Sequence, residues 1–220
     1  MLDVAPTVPE PPFITVEGID GCGKTTQAAL MVDALKRAGY AVLALREPGG
    51  VALSEKIRAL LLDPAYTEMS DTCELLLYEA ARAQLVHERI APALAAGTVV
   101  VCDRFFDSTT CYQAFGGGLD RAVVGRANEL AVGACRPRLT LVFDIDPVDA
   151  AARAAARDGS PDRMEAKGLA YQERVAAGFR ALAAEEPDRV KLIDAARPVE
   201  VVFADVCTCL RGAGFALAEA

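Results

Sequence analysis

An α/β fold is predicted: three layers, with a five-stranded parallel sheet covered by helices on both faces. Three observations carry that expectation. Five short β-rich apolar runs alternate with stretches of helical periodicity, the pattern of a parallel sheet buried on both sides. The first run leads directly into a glycine-rich stretch and then a helix, the strand–loop–helix order of a phosphate-binding loop. The chain has 220 residues, 53% hydrophobic and 25% charged, enough to bury one sizeable core.

In order along the chain, residues 1–12 carry prolines at 6, 9, 11 and 12 and read as a flexible tail, leaving 13–220 as a single domain. Phe13–Val16 is the first strand, and Thr26–Arg37 is a helix on the spacing of Ala28, Met31, Val32 and Leu35, with Gly39 as its stop. Ala41–Leu45 reads as a second buried strand, ending in the polar turn Arg46-Glu47-Pro48-Gly49-Gly50 ahead of a short helix over Ser54–Leu62. A longer helix is expected over Asp71–Ala95, with Pro92 bending or interrupting its end. Thr98–Cys102 is the third strand, with Asp103-Arg104 at its tip. The loop Gly116-Gly117-Gly118 then leads to a helix over Arg121–Ala134. Leu139–Phe143 and Val190–Ile193 complete the sheet, with helices over Pro147–Arg157, Glu165–Glu185 and Val199–Arg211.

Composition narrows the function. The formal charge of −8, from 23 basic and 31 acidic residues, argues against a broad nucleic-acid surface. The seven cysteines show no C-x-x-C pair and no disulfide-like spacing, which suits reduced thiols in a cytoplasmic protein. The first residues lack the pattern of a signal peptide, and no apolar run is long enough to span a bilayer.

The chemistry begins at Gly18-Ile19-Asp20-Gly21-Cys22-Gly23-Lys24-Thr25, which fits G-x-x-x-x-G-K-[ST] at every fixed position. Glycines let successive backbone N–H groups turn inward around phosphate oxygens at a helix N-terminus. Gly18 to Thr26 are therefore expected to bind ATP, with Lys24 on the β/γ-phosphates and the Thr25 hydroxyl on Mg²⁺. Asp103, delivered by an apolar strand, suits the second metal contact, and Arg104 beside it suits a bidentate phosphate contact. The two would equally serve by pairing with one another or capping the loop. Arg153, Arg157 and Arg163 flank a Gly-Ser-Pro turn, as in a lid over about 153–165 whose arginines meet a transferring phosphoryl group on closure. A solvated basic face is the plainer reading of each. Tyr78 and Arg82 lie one helical turn apart, where they would frame a flat base or make a buried aromatic with a snorkelling arginine. The lone His87 has no ligand-spaced partner and suggests no metal role.

The ordered set Glu17-Gly-Ile-Asp-Gly-Cys-Gly-Lys-Thr25, Arg46-Glu-Pro-Gly-Gly50, Tyr78-Glu-Ala-Ala-Arg82-Ala-Gln84, Asp103-Arg104 with Ser108-Thr-Thr-Cys-Tyr112-Gln113, and Asp162-Arg163 resembles bacterial thymidylate kinase. The resemblance implies a nucleoside-monophosphate-kinase fold, a homodimer, and transfer of the ATP γ-phosphoryl to dTMP with Mg²⁺. It implies that Asp20 meets the deoxyribose 3′-OH, Arg104 the dTMP phosphate and Arg82 the thymine edge. Tyr78 would stack on the base and Tyr112 crowd the 2′ position. Arg46, Ser108, Thr109 and Gln113 complete the implied dTMP site, Thr109 standing where some relatives have Asn. Gly21 with an arginine-bearing lid resembles the subclass that draws its catalytic arginine from the lid. Two departures stand out: Phe105 follows Asp-Arg where the family commonly has Tyr or His, and the lid carries the Gly-Ser-Pro stretch. Competing readings are another P-loop kinase, which on a nucleoside acceptor would need Glu17 or Asp103 as general base, and a nucleotide-binding regulator without transfer.

Overall fold

The computed structural model describes residues 8–10, 12–156 and 162–217. Five parallel strands form one sheet in the order β2-β3-β1-β4-β5. They are β1 (Phe13–Glu17), β2 (Val42–Arg46), β3 (Val99–Asp103), β4 (Leu139–Asp144) and β5 (Val190–Asp194). Each matches a run expected from sequence to within a residue. The intervening helices are α1 (Lys24–Arg37), α2 (Ala52–Leu62), α3 (Asp71–Leu85), α4 (Ala91–Ala95), α5 (Phe106–Thr109), α6 (Arg121–Val132), α7 (Pro147–Ala155), α8 (Leu169–Glu185) and α9 (Val199–Gly212).

Side chains alternate across a strand, so each strand feeds two layers. Ile14, Val16, Val99, Val101, Leu141 and Phe143 join Met31, Leu35 and Phe179 in one core. Phe13, Val100 and Cys102 point the other way, into a second core with Leu85, Ile90 and Phe105. The register aligns Val16 with both Asp103 of β3 and Leu141 of β4. The phosphate loop and the Asp103-Arg104 corner therefore leave the sheet side by side, at the carboxyl ends where open α/β sheets bind ligands.

Five local expectations are corrected. β2 is not a buried strand: it lies at the sheet edge, with Ala44 and Arg46 exposed, because only β3 pairs with it. The helical run 71–95 is continuous but passes through a π-helical turn, Val86–Ile90, where the chain adjusts ahead of Pro92, which lacks an N–H to donate. Residues 106–116, for which no element was expected, form α5 and a π-helical continuation, Thr110–Gly116. The expected helix over 165–185 is a short 3₁₀ turn, Glu165–Lys167, then α8. Gly168 separates the two at φ 82°, a conformation that favours glycine. Residues 8–10 of the expected flexible tail are docked: Val8 packs on the main core, and the Glu10 carbonyl accepts from Arg138 Nη1 at 2.8 Å.

Candidate active site

The loop after β1 reverses sharply at three glycines with positive φ: Gly18, Gly21 and Gly23. Gly23 is the left-handed N-cap of α1, and no side chain caps that end. Its first backbone N–H groups are left for an anion, and the helix dipole favours one there. Gly21 is required for a second reason: a Cβ there would lie 2.1 Å from the Ala150 carbonyl oxygen on α7, so no side chain enters the loop at this point. Lys24, 8% exposed, folds over the loop with Nζ 3.4 Å from both the Ile19 carbonyl and Asp20 Oδ1.

The Thr25 hydroxyl donates to Asp103 Oδ2 at 2.8 Å, joining the start of α1 to the tip of β3. Asp103 Oδ1 is buried with no hydrogen-bond partner, a costly arrangement unless a cation meets it. A hydroxyl and a single carboxylate with a free oxygen fit a divalent metal that takes its remaining ligands from phosphate and water. Among the described residues no cluster of three or more His, Cys, Asp or Glu competes as a metal site.

Arg104 adopts φ 70°, uncommon for any residue but glycine and a form of strain concentrated at functional sites. The turn aims its guanidinium between loop and cleft. Nη1 donates to the Gly18 carbonyl and to Ser108 Oγ, both at 3.1 Å. Nη2 donates to Asp20 Oδ1 at 2.7 Å and to the Tyr112 hydroxyl at 3.1 Å. The cation also lies over the Tyr112 ring, 4.9 Å from its centroid. Burial pushes the Asp20 carboxyl up, but the Arg104 and Lys24 cations reverse this and hold it below the ordinary carboxylate range. Beneath the corner, Glu17 is fully buried and accepts from the Phe105 N–H at 2.7 Å and from the Ser108 hydroxyl. Burial, reinforced by the nearby Asp107 charge, pushes Glu17 up to about 8 despite these bonds and Arg104.

A cleft opens beside the loop. Arg104, Ser108, Tyr112 and Asp20 form its phosphate-loop end, and Tyr78, Arg82, Thr109 and Gln113 line the remainder. Tyr78 is half-buried, and its phenol is pushed up by burial. Arg82 is 2% exposed and held between two carboxylates, with Nε donating to Glu47 Oε2 at 2.8 Å and Nη1 to Glu79 Oε1. The plainer sequence reading, a snorkelling arginine, is thereby replaced by a buried, fixed one. Burial pushes Glu47 up to about 7 against the pull of Arg82. The Thr109 hydroxyl is buried and unpartnered beside the cleft, so a ligand group there would satisfy it.

Some expected residues stand elsewhere. Arg46 turns away from the cleft, with Nη2 3.0 Å from both Glu55 carboxylate oxygens and Nη1 on the Pro48 carbonyl. Arg58 of α2, overlooked because a lone cation on an amphipathic helix resembles a solvated face, lines the cleft instead. Arg153 donates to the Ala195 carbonyl at 3.0 Å, just beyond β5. Arg163 is buried, with Nε on the Leu61 carbonyl at 2.8 Å and Nη1 on Glu74, so in this conformation it anchors its segment instead of reaching phosphate. Arg157 lies outside the described residues, as does the whole Gly-Ser-Pro turn, 159–161. Glu47, Pro48, Leu62, Asp162 and Met164 also line the cleft. The Arg-Glu-Pro-Gly-Gly and Asp-Arg motifs were the available signal for Glu47, Pro48 and Asp162.

Comparison with known proteins agrees with this geometry. A family model described as thymidylate kinase matches residues 16–206. A thymidylate kinase of Geobacter sulfurreducens is 50% identical over 203 residues, covering 90% of this chain and 95% of the relative. One from a Synechococcus strain is 53% identical over 192 residues, covering 86% and 89%. The crystal structure of a thymidylate kinase from Ehrlichia chaffeensis superposes with a TM-score of 0.73 at 32% identity, covering 90% of this chain and 97% of that one.

Proposed function

The chain belongs to the thymidylate kinase family, the kinases that phosphorylate dTMP to dTDP with ATP in dTTP synthesis, and from that premise we propose how its residues divide the work. Gly18 to Thr26 hold the triphosphate, with Lys24 moving from Asp20 onto the β/γ-phosphates. Thr25 and Asp103 hold the divalent metal that the family uses with ATP, here Mg²⁺, and the free Asp103 Oδ1 supports this. When bound, the ion neutralises charge on the phosphates.

The acceptor assignment is carried by a single observation, the placement of Arg104. Its guanidinium spans the loop at Gly18 and Asp20 and the cleft at Ser108 and Tyr112, where one phosphate can be held facing the other. dTMP then lies with its phosphate on Arg104, its 3′-OH toward Asp20, its sugar against Tyr112 and its base between Tyr78 and Arg82. Thr109 and Gln113 complete the wall. A dTMP phosphate oxygen attacks the γ-phosphorus, the bond to the bridging oxygen breaks, and ADP leaves. A phosphate monoester has its second pKa near 6, so the nucleophile is already ionised at neutral pH and no general base is required. Positioning and electrostatics remain, supplied by Lys24, Arg104 and a lid cation. Because Arg153 and Arg163 are engaged elsewhere, we assign the lid cation to Arg157.

We also infer a homodimer. Leu53 and Leu60 of α2, Leu76 of α3 and Leu130 of α6 are exposed, and α3 packs between the other two helices. Such a face suits a second copy. A single domain over 13–220 and a cytoplasmic setting complete the reading, the latter supported by seven free cysteines. An ADP-release assay with ATP and dTMP, with and without a chelator, tests the chemistry. Metal-dependent ADP release that requires dTMP is expected, and release without dTMP would overturn it.

A further inference from the structure

A carboxylate outside the cleft joins two of the segments that line it. Glu74 lies on α3, one turn before Tyr78 and two before Arg82, and is 1% exposed. It does not line the cleft. Oε1 accepts from Gln113 Nε2 at 2.9 Å and from Lys167 Nζ at 2.9 Å. Oε2 accepts from Lys167 Nζ at 3.0 Å and pairs with Arg163 Nη1 at 2.5 Å. These contacts use about all the lone-pair capacity of a carboxylate. Burial pushes the Glu74 carboxyl up, but Gln113, Lys167 and Arg163 together bring it below the ordinary value.

The three partners come from two directions. Gln113 belongs to the helical segment that also carries Thr109 and Tyr112, and it lines the cleft itself. Arg163 and Lys167 bracket the segment that brings Met164 to the cleft, with Asp162 just before Arg163. Asp162 holds its own turn rigid, its Oδ1 accepting from the Met164 and Glu165 N–H groups at 2.8 and 2.9 Å. Arg163 reaches on to the Leu61 carbonyl, next to the cleft residue Leu62. A buried ion pair is weak evidence for stability, since desolvating its charges offsets much of their attraction. What Glu74 contributes beyond that is geometry: it ties together two segments that both line the acceptor cleft.

We propose that Glu74 is a positioning residue for the acceptor, setting dTMP affinity by holding Gln113 and the Arg163–Lys167 segment in place at the cleft. The role rests on the acceptor reading given above. It predicts a selective kinetic effect, because Glu74 bonds to Gln113, Lys167 and Arg163 and not to the phosphate loop.

The test is steady-state kinetics on Glu74→Gln and Lys167→Met, with thermal midpoints measured alongside. Glu74→Gln is expected to raise KM for dTMP about tenfold or more while KM for ATP stays within about twofold, because small misplacements of a binding group are costly. Lys167→Met, which leaves Glu74 and two of its partners in place, is expected to move KM for dTMP the same way by less. It carries the test by itself if the first variant does not fold. A lowered thermal midpoint with both KM values unchanged would make Glu74 a structural ion pair and overturn the proposal. Equal rises in both KM values would overturn it as well. Failure of the wild-type protein to turn over dTMP in the same assay would overturn the acceptor reading beneath it.

Discussion

Replacing Arg82 by methionine keeps much of the side-chain volume but removes the cation that Glu47 and Glu79 share. Both carboxylates are almost fully buried, at 5% and 6% exposure, and each already has one oxygen without a partner. Without the guanidinium they face one another uncompensated, and the Phe105 ring loses the cation 5.4 Å from its centroid. Breaking a buried ion pair from one side costs about 3–5 kcal/mol. For a chain of this size, at about 2–4 °C per kcal/mol, the melting temperature should fall by about 6–20 °C near neutral pH. The loss should itself depend on pH. Glu47 is already raised to about 7, and without the pull of Arg82 it rises further. The folded variant then holds protons that the unfolded chain has released above about pH 4.5, so its stability grows as pH falls. Thermal melts at about pH 8 and about pH 6, compared with wild type, measure both effects. A loss under about 1 kcal/mol, or a deficit that widens toward acid, would refute the arrangement of one arginine holding two buried carboxylates.

Lys24→Ala should lower kcat by about 10²–10³-fold with the fold intact, because one cation on the developing phosphoryl charge is lost; near-wild-type turnover would remove Lys24 from the phosphoryl-transfer reading. Tyr112→Ala should reduce the preference for dTMP over its ribose analogue by about tenfold, whereas Tyr112→Phe, which keeps the ring, should retain it. An unchanged ratio in the alanine variant would make the ring purely structural. Glu17, raised to about 8 by burial and the Asp107 charge, holds a proton in the folded state. It favours folding fully below about pH 4.5, and that contribution is lost as pH rises to about 8, at up to about 1.4 kcal/mol per pH unit. Glu17→Gln should flatten that part of the stability profile, and an equally steep profile in the variant would contradict a raised Glu17.

The strands were legible because a parallel sheet buried on both faces needs continuous apolar runs, and Phe13–Val16, Val99–Cys102 and Leu139–Phe143 are such runs. The phosphate loop was legible because its backbone conformation requires Gly18, Gly21 and Gly23 at those places. Sequence could not show that β2 is an edge strand, since strand order is set by packing of the whole chain. The helix beginning at Phe106 was missed because Ser108-Thr109-Thr110 has little helical propensity. Its start is fixed from a distance, by Glu17 holding the Phe105 N–H and the Ser108 hydroxyl. Arg163 misled for a related reason: an arginine in a motif signals charge, but only the fold reveals that Leu61 and Glu74 already occupy it.

The reading of the cleft as a thymine nucleotide site is tested most directly by a panel of nucleoside monophosphates with ATP and Mg²⁺, scored as kcat/KM. Tyr78, Arg82, Tyr112 and Arg104 together predict dTMP as the best acceptor, ahead of dCMP, dGMP and the ribose analogue of dTMP. Equal values for dTMP and dCMP or dGMP would contradict it.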